Sequence, residues 1–265
     1  MVKYTPMIFK RILLVLPCCI GDVVLATAAL QALRRAFPDA HITWAVGAWS
    51  KPAIEGHPLL DAIVDTGPGA LPMRTPGSMR RFVRKLRADR YDLLVSLVRS
   101  PLMSIAALLS GIPKRAGIDS AGRGFGYTVR APVDPNIPRH EAEIYLDVVR
   151  ALGVDTQGCY ANVPVPADAR GLMARRGVTG PYIVVNPAGG RNPGMTMDVK
   201  RYPPASLAAL TEHLARRLSA HPVLLAGPGD AEIVAAVQSA LNIESTALVG
   251  ELSFGEIAAL TAEAG

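Results

Sequence analysis

The chain has 265 residues, half of them apolar and 19% charged, so it has ample material for a core and is not a disordered segment. A formal charge of +6 favours an anionic partner, whether nucleotide, phosphorylated lipid, membrane surface or nucleic acid, without choosing among them. Cys18, Cys19 and Cys159 make no disulfide framework, and adjacent cysteines are poorly placed to bridge to each other, so a reducing compartment is the simpler inference.

In chain order, Ile12 to Leu16 is an unbroken apolar run, the pattern of a strand covered on both faces. Pro17 and Gly21 bracket a short turn, and a helix follows from Val23 to Arg35, stopped by Pro38. Its polar positions, Thr27, Gln31 and Arg34/Arg35, recur three or four apart and form one narrow stripe. Asp22 stands at or just before the first helical residue. It has two readings: a helix cap, or an acid at the mouth of a strand–helix turn, where open α/β sheets place their chemistry. Lys10-Arg11 with ILLVLPCCIG carries the basic and apolar parts of a signal peptide, but Asp22 interrupts the apolar segment and no cleavage site follows. No stretch reaches the roughly 18 uncharged apolar residues of a spanning helix.

A second strand is predicted over His41–Val46, a short helix over Ser50–Gly56 and a third strand over Ala62–Asp65. Pro- and Gly-rich residues 66–77 read as a loop, and Ser78 as the cap of a basic helix running to about Asp89. Its arginines, Arg80 and Arg84 among them, suit either an acidic acceptor or bilayer surface, or a solvated outer face. Few aromatics lie nearby for base stacking, which weakens nucleic-acid binding. Tyr91–Val98 is a fourth strand, Pro101–Ser110 a helix, 111–138 an irregular Gly/Pro-dense segment, and His140–Leu152 a helix. Residues 153–180 form the domain junction. The alternation then restarts with strand Tyr182–Asn186, helix Pro204–Leu218, strand Val223–Ala226, helix Ala231–Leu241, a strand near Ala247–Val249 and helix Ser253–Ala262. This alternation implies doubly wound parallel sheets.

The loop Pro187–Pro203, with Gly189, Gly190, Gly194, Arg191, Thr196, Lys200 and Arg201 before a helix, suits an anion, and a mere flexible connection is the alternative. GPGD at 227–230 opens the next helix; Asp230 is either its cap or, with Glu232 in the first turn, a carboxylate for a ribose. No P-loop, full G-x-G-x-x-G or G-x-S-x-G occurs, and the five histidines are dispersed, so metal catalysis and serine hydrolysis fall away as leading ideas.

As an ordered set, the opening RILLVLPCCIGDVVLATAALQALRRAFPDAHITWAV, then HPLLDAIV, RYDLLVSL, IPKRAGI, HEAEIYLDVVRALG, VVNPAGG, DVKRYPP and VLLAGPGDAEI resemble the heptosyltransferase-like glycosyltransferases of family 9. The resemblance implies a GT-B-like α/β fold of two Rossmann-like domains, an N-terminal acceptor domain over 1–165 and a short C-terminal nucleotide-sugar donor domain over 166–265. It implies inverting transfer of a heptose-like sugar from a nucleotide donor such as ADP-heptose to a cell-envelope glycan or lipid-linked acceptor. No metal and no cofactor beyond that co-substrate is implied. Asp22 matches the general base. Thr196, Lys200, Gly189 and Gly190 match donor-phosphate contacts, Asp230 and Glu232 nucleoside contacts, and Gly21, Arg80 and Arg84 are the acceptor-binding candidates. The expected place is cytoplasmic, peripheral at the inner face of the cell membrane, with no nucleic-acid partner. The sequence stops at Gly265, before the family's Asp-x-Gly-x-x-His segment, so a catalytically impaired nucleotide- or glycan-binding remnant is the alternative expectation.

Overall fold

Strand β1 (Arg11–Val15) lies inside a sheet, and its last four residues, Ile12 to Val15, have no solvent exposure. The computed structural model describes residues 8–189, 191–192 and 194–264. They divide into two compact units, one ending at Val163 and the other beginning at Pro164.

In the first unit β1 is followed by α1 (Ile20–Ala36), β2 (His41–Val46), β3 (Ala62–Asp65), α2 (Pro76–Leu86), β4 (Leu93–Ser96) and α3 (Pro101–Ser110). Strands β5 (Lys114–Ser120) and β6 (Val129–Val133) and helix α4 (Glu141–Arg150) complete it. The six strands run parallel in the order β3-β2-β1-β4-β5-β6. The order reverses between β1 and β4, which makes their carboxyl ends the switch point of a doubly wound sheet. Asp92 ties the two strands at their start, its carboxylate accepting from the backbone N–H of Lys10 at 2.8 Å and of Arg11 at 3.2 Å.

The irregular segment expected over 111–138 is instead two parallel strands, β5 and β6. Glycines that read as breakers sit where backbone and side chains approach closely. A Cβ on Gly117 would lie 2.4 Å from the Tyr127 ring, and one on Gly126 would lie 2.0 Å from the Ser104 carbonyl oxygen. Residues 122–126, with glycines at 122, 124 and 126, lie in the connection from β5 to β6 and open no helix. The cap of α2 is Thr75, not Ser78; Ser78 is the reciprocal partner three residues on, in a capping box. The short helix over Ser50–Gly56 is a 3-10 turn, Lys51–Ala53.

The polar stripe of α1 holds chain rather than water. Arg35 donates to the carbonyls of Asp155 and Gln157, Gln31 accepts from the Tyr160 N–H, and Thr27 accepts from the Asn162 N–H. These positions, four residues apart, lay segment 155–162 along the helix. Cys18 and Cys19, expected not to bridge, are joined by a disulfide; the peptide between them is cis and brings their Cα atoms to 3.1 Å. Cysteine usage therefore does not argue for a reducing compartment.

The second unit contains α5 (Leu172–Arg175), β7 (Tyr182–Val185), β8 (Arg191–Asn192), β9 (Met195–Thr196), α6 (Pro204–Leu218), β10 (His221–Ala226), α7 (Ala231–Ala240), β11 (Thr246–Val249) and α8 (Phe254–Ala262). A three-stranded parallel sheet, β11-β10-β7, forms its centre among the described residues. The expected loop 187–203 contains the antiparallel pair β8/β9 and a 3-10 turn, Asp198–Lys200. No helix among the described residues is long and apolar enough to cross a membrane.

Gly126→Ala is expected to lower stability by about 1–3 kcal/mol through overpacking. Gly77→Ala, in the first turn of α2 with only the Arg81 guanidinium 3.8 Å from its Cβ, is expected to leave stability unchanged or raised. Urea unfolding midpoints of the two variants check this.

Candidate active site

Helix α1 begins at Ile20, earlier than the spacing suggests, so Asp22 is the third helical residue and not the cap. The N-cap position belongs to Cys19, whose side chain makes no capping bond; a backbone hydrogen bond joins Cys19 to the Asp22 carboxylate instead. An acid in the first turn also meets the positive end of the helix dipole.

Asp22 opens into a cavity of about 450 Å³ at the carboxyl ends of β1 and β4. Leu16, Pro17 and Cys18 line it after β1, Leu97, Val98 and Arg99 after β4, Ala70 and Leu71 from the loop after β3, and Glu141 and Tyr145 from α4. Glu141 and Tyr145 are one turn apart and so share a face of α4, which packs on α1. One Arg99 nitrogen, Nη2, lies 2.7 Å from both Glu141 carboxylate oxygens. The Tyr145 hydroxyl, on a side chain only 2% exposed, hydrogen-bonds to Asp22.

Burial pushes the Asp22 carboxyl above the usual carboxylate range. The hydrogen bond from Cys19 opposes this, Glu141 adds to it, and Tyr145 and Arg99 oppose it in turn. Burial beside Asp22 and Glu141 also pushes the Tyr145 phenol up, so it stays protonated and available as a donor. The result is a carboxylate held by directed donors, with raised proton affinity, facing a cavity large enough for a sugar-sized group. Chemically this suits a general base.

Arg99, Glu141 and Tyr145 were not candidates from the sequence. Arg99 follows the strand run ending at Val98, and the switch-point rule applied to β4 as well as β1 finds it. Glu141 and Tyr145 carry only their four-residue spacing as a signal.

The other candidates are dispersed. Gly21 is exposed beside Asp22, and a Cβ there would meet nothing within 4 Å. Arg80 and Arg84 do not line the Asp22 cavity; they line a separate groove on α2. In the second unit, Gly189 follows β7 with φ +120°, a left-handed region that favours glycine. Gly190 lies outside the described residues, and Thr196 lies in β9. Lys200 is exposed at the end of the 3-10 turn, and Glu232 is exposed in the first turn of α7.

Asp230 occupies the N-cap position of α7 but makes no capping bond. Its carboxylate pairs with Arg201 at 3.1 Å, and Arg201 Nε donates to the Gly189 carbonyl at 3.2 Å. Arg201 thereby braces the loops after β7 and β10, the strand ends where an α/β sheet takes its ligand. The sequence named Arg201 among the loop's cations but did not single it out. Among the described residues no group of His, Cys, Asp or Glu could hold a metal ion.

The sequence model of glycosyltransferase family 9 (heptosyltransferase) matches residues 79–265. Lipopolysaccharide heptosyltransferase 3 of Escherichia coli is 24% identical over 253 residues, 91% of this chain and 72% of that protein. Lipopolysaccharide heptosyltransferase 2 of Escherichia coli K12 is 28% identical over 109 residues, 40% of this chain and 30% of that protein. The solved E. coli ADP-heptose lps heptosyltransferase II superposes with a TM-score of 0.75 at 22% identity, over 96% of this chain and 77% of that one. Its fold is GT-B, and the two Rossmann-like parallel-sheet units here are of that class. With most of its length matched by the family's sequence model, the chain belongs to glycosyltransferase family 9.

Proposed function

We propose that the chain transfers a heptose-like sugar, with inversion, from a nucleotide donor of the ADP-heptose kind to a hydroxyl of an anionic cell-envelope glycan or lipid-linked acceptor. The donor class is suggested by the relative solved as an ADP-heptose heptosyltransferase. The observation that carries the catalytic reading is Asp22, its proton affinity raised by burial at the switch-point cavity and its carboxylate held by Tyr145 and Cys19.

Asp22 accepts the proton of the acceptor hydroxyl as that oxygen attacks the anomeric carbon. The bond from that carbon to the diphosphate oxygen breaks, and the electron pair leaves with the nucleoside diphosphate. The opposite faces of attack and departure give inversion. Lys200, with Thr196 and the backbone at Gly189 and Gly190, supplies positive charge and donors for the departing diphosphate. Asp230 and Glu232 are proposed toward the nucleoside. Arg201, already paired with Asp230, orders that loop pair and adds a second cation near the diphosphate. Gly21 leaves space beside the base for the acceptor. Arg80 and Arg84 serve the acceptor's anionic or lipid portion from outside the Asp22 cavity. We place the chain at the cytoplasmic face of the membrane that carries such an acceptor.

Asp22→Asn is expected to lower kcat by about 10²–10⁴-fold while leaving ADP binding near that of the unaltered chain. A transfer assay paired with calorimetric titration of ADP checks it, and retained turnover removes the base assignment. Tyr145→Phe deletes a hydrogen bond to the charged carboxylate, so the Asp22 pKa moves further up. The acid limb of kcat/KM then shifts to higher pH, which a pH–rate profile reads. Arg201→Ala leaves Asp230 without this ion pair and is expected to weaken ADP binding roughly tenfold, with a retained cooperative unfolding transition as the control for folding.

A further inference from the structure

Helix α3 has no charged residue, yet it lies on the outside of the first unit's sheet. Its inner face, Met103, Ser104, Ala106, Ala107 and Ser110, is buried. Its outer face leaves Ile105, Leu108 and Leu109 exposed at 37%, 54% and 47%. A surface helix of this kind normally turns polar residues outward.

Helix α2 packs beside it and supplies the charge. Residues 76–87 carry Arg80, Arg81, Arg84, Lys85 and Arg87 and no acid. A groove of about 540 Å³ runs between the helices, lined by Met79, Arg80, Val83, Arg84, Arg87 and Leu109 with Pro76 at its head. Arg87 is spent on the α3 terminus, donating to the carbonyls of Leu109 and Ser110. The side chains of Arg80 and Arg84 have no ion-pair or hydrogen-bond partner among the described residues.

We infer that the α2/α3 face is a docking surface for an anionic lipid bilayer, with Ile105, Leu108 and Leu109 entering the headgroup layer and Arg80 and Arg84 meeting lipid phosphates. Aliphatic side chains on a convex helix, flanked by unpaired arginines, are the chemistry of interfacial membrane binding. Protein–protein hot spots favour aromatic anchors, and neither helix exposes one; Phe82 is 2% exposed. The face also connects with the candidate active site. The loop that gives Ala70 and Leu71 to the Asp22 cavity continues directly into Pro76 at the head of the groove. A lipid-borne acceptor would be presented along that side. The use of the surface rests on the proposed lipid-linked acceptor, while its detection does not.

The test is co-sedimentation of the full chain with vesicles of equal parts phosphatidylglycerol and phosphatidylcholine, against phosphatidylcholine alone. Binding is expected to the anionic vesicles only, and to fall as salt rises. Arg80→Glu with Arg84→Glu is expected to weaken it by about tenfold or more. Leu108→Gln with Leu109→Gln is expected to weaken it by roughly tenfold. Circular dichroism confirms that each variant is folded. Asp22→Asn should bind vesicles like the unaltered chain, so a failed base assignment and a failed docking surface are distinguishable. Binding indifferent to headgroup charge, or unchanged in either double variant, overturns the inference. So does an absence of vesicle binding by the unaltered chain; a change of sedimentation coefficient in the leucine variant then assigns the face to protein contact.

Discussion

Parallel pairing of β1 with β2 on one side and β4 on the other is the constraint on which the first unit depends. Once β1 is central and buried from Ile12 to Val15, its amides have ladder partners on both sides and its outlet is the turn at its carboxyl end. The same pairing brings the outlet of β4 alongside. Asp22 on the first helix and Arg99 on the second connection therefore arrive at one cavity, although 77 residues separate them in sequence. Helix α4, packed on α1, then brings Glu141 and Tyr145 to the same place. No one of these residues would be special alone.

The electrostatics of that cavity oppose stability as much as they serve chemistry. Asp22 has a raised pKa in the folded chain, chiefly because burial disfavours its charge. It therefore contributes stability that is present below its unfolded pKa and lost as pH rises through the folded value. At neutral pH the ionised group is a cost the fold carries, reduced by the hydrogen bonds from Cys19 and Tyr145 and by the nearby charge of Arg99. Glu141 works the other way, but its pairing with Arg99 limits the repulsion. Such an arrangement is costly as a structural device and suits the role of base proposed for Asp22.

Polar groups that look solvated in a helical projection are used here to organise chain. Thr27, Gln31 and Arg35 bind the backbone of the segment that closes the first unit, and Arg34 reaches Pro38, Ala40, Leu59 and Asp61. In the second unit Arg201 acts similarly, joining the loop after β7 to the head of α7. Thr27 and Gln31 accept from backbone N–H groups, while Arg34, Arg35 and Arg201 donate to carbonyls and carboxylates, so each polar side chain fixes a stretch of chain. On α2, by contrast, the side chains of Arg80 and Arg84 have no hydrogen-bond or ion-pair partner among the described residues and are exposed beside an apolar helix.

The sequence by itself determined the elements whose signals are local. Strands β2 and β3 and helices α3 and α6 have the bounds that alternation, Pro and cap residues imply, because those forces act within a few residues. The ordered motifs also carried the family, and Asp22 was legible as the acid at a strand–helix turn. Tertiary structure alone decided what depends on distant groups. Strands β5 and β6 were hidden because Gly117 in β5 and Gly126 in the connection to β6 serve close packing against Tyr127 and Ser104, contacts no local propensity encodes. The bridge between Cys18 and Cys19 has no signal in the residue types around it. The partners of Asp22 come from β4 and α4, so only the packed sheet could gather Arg99, Glu141 and Tyr145 around one carboxylate. A sequence fixes which side chains are available and where helices and strands start; burial, which sets a proton affinity, exists only once the chain has closed around the group.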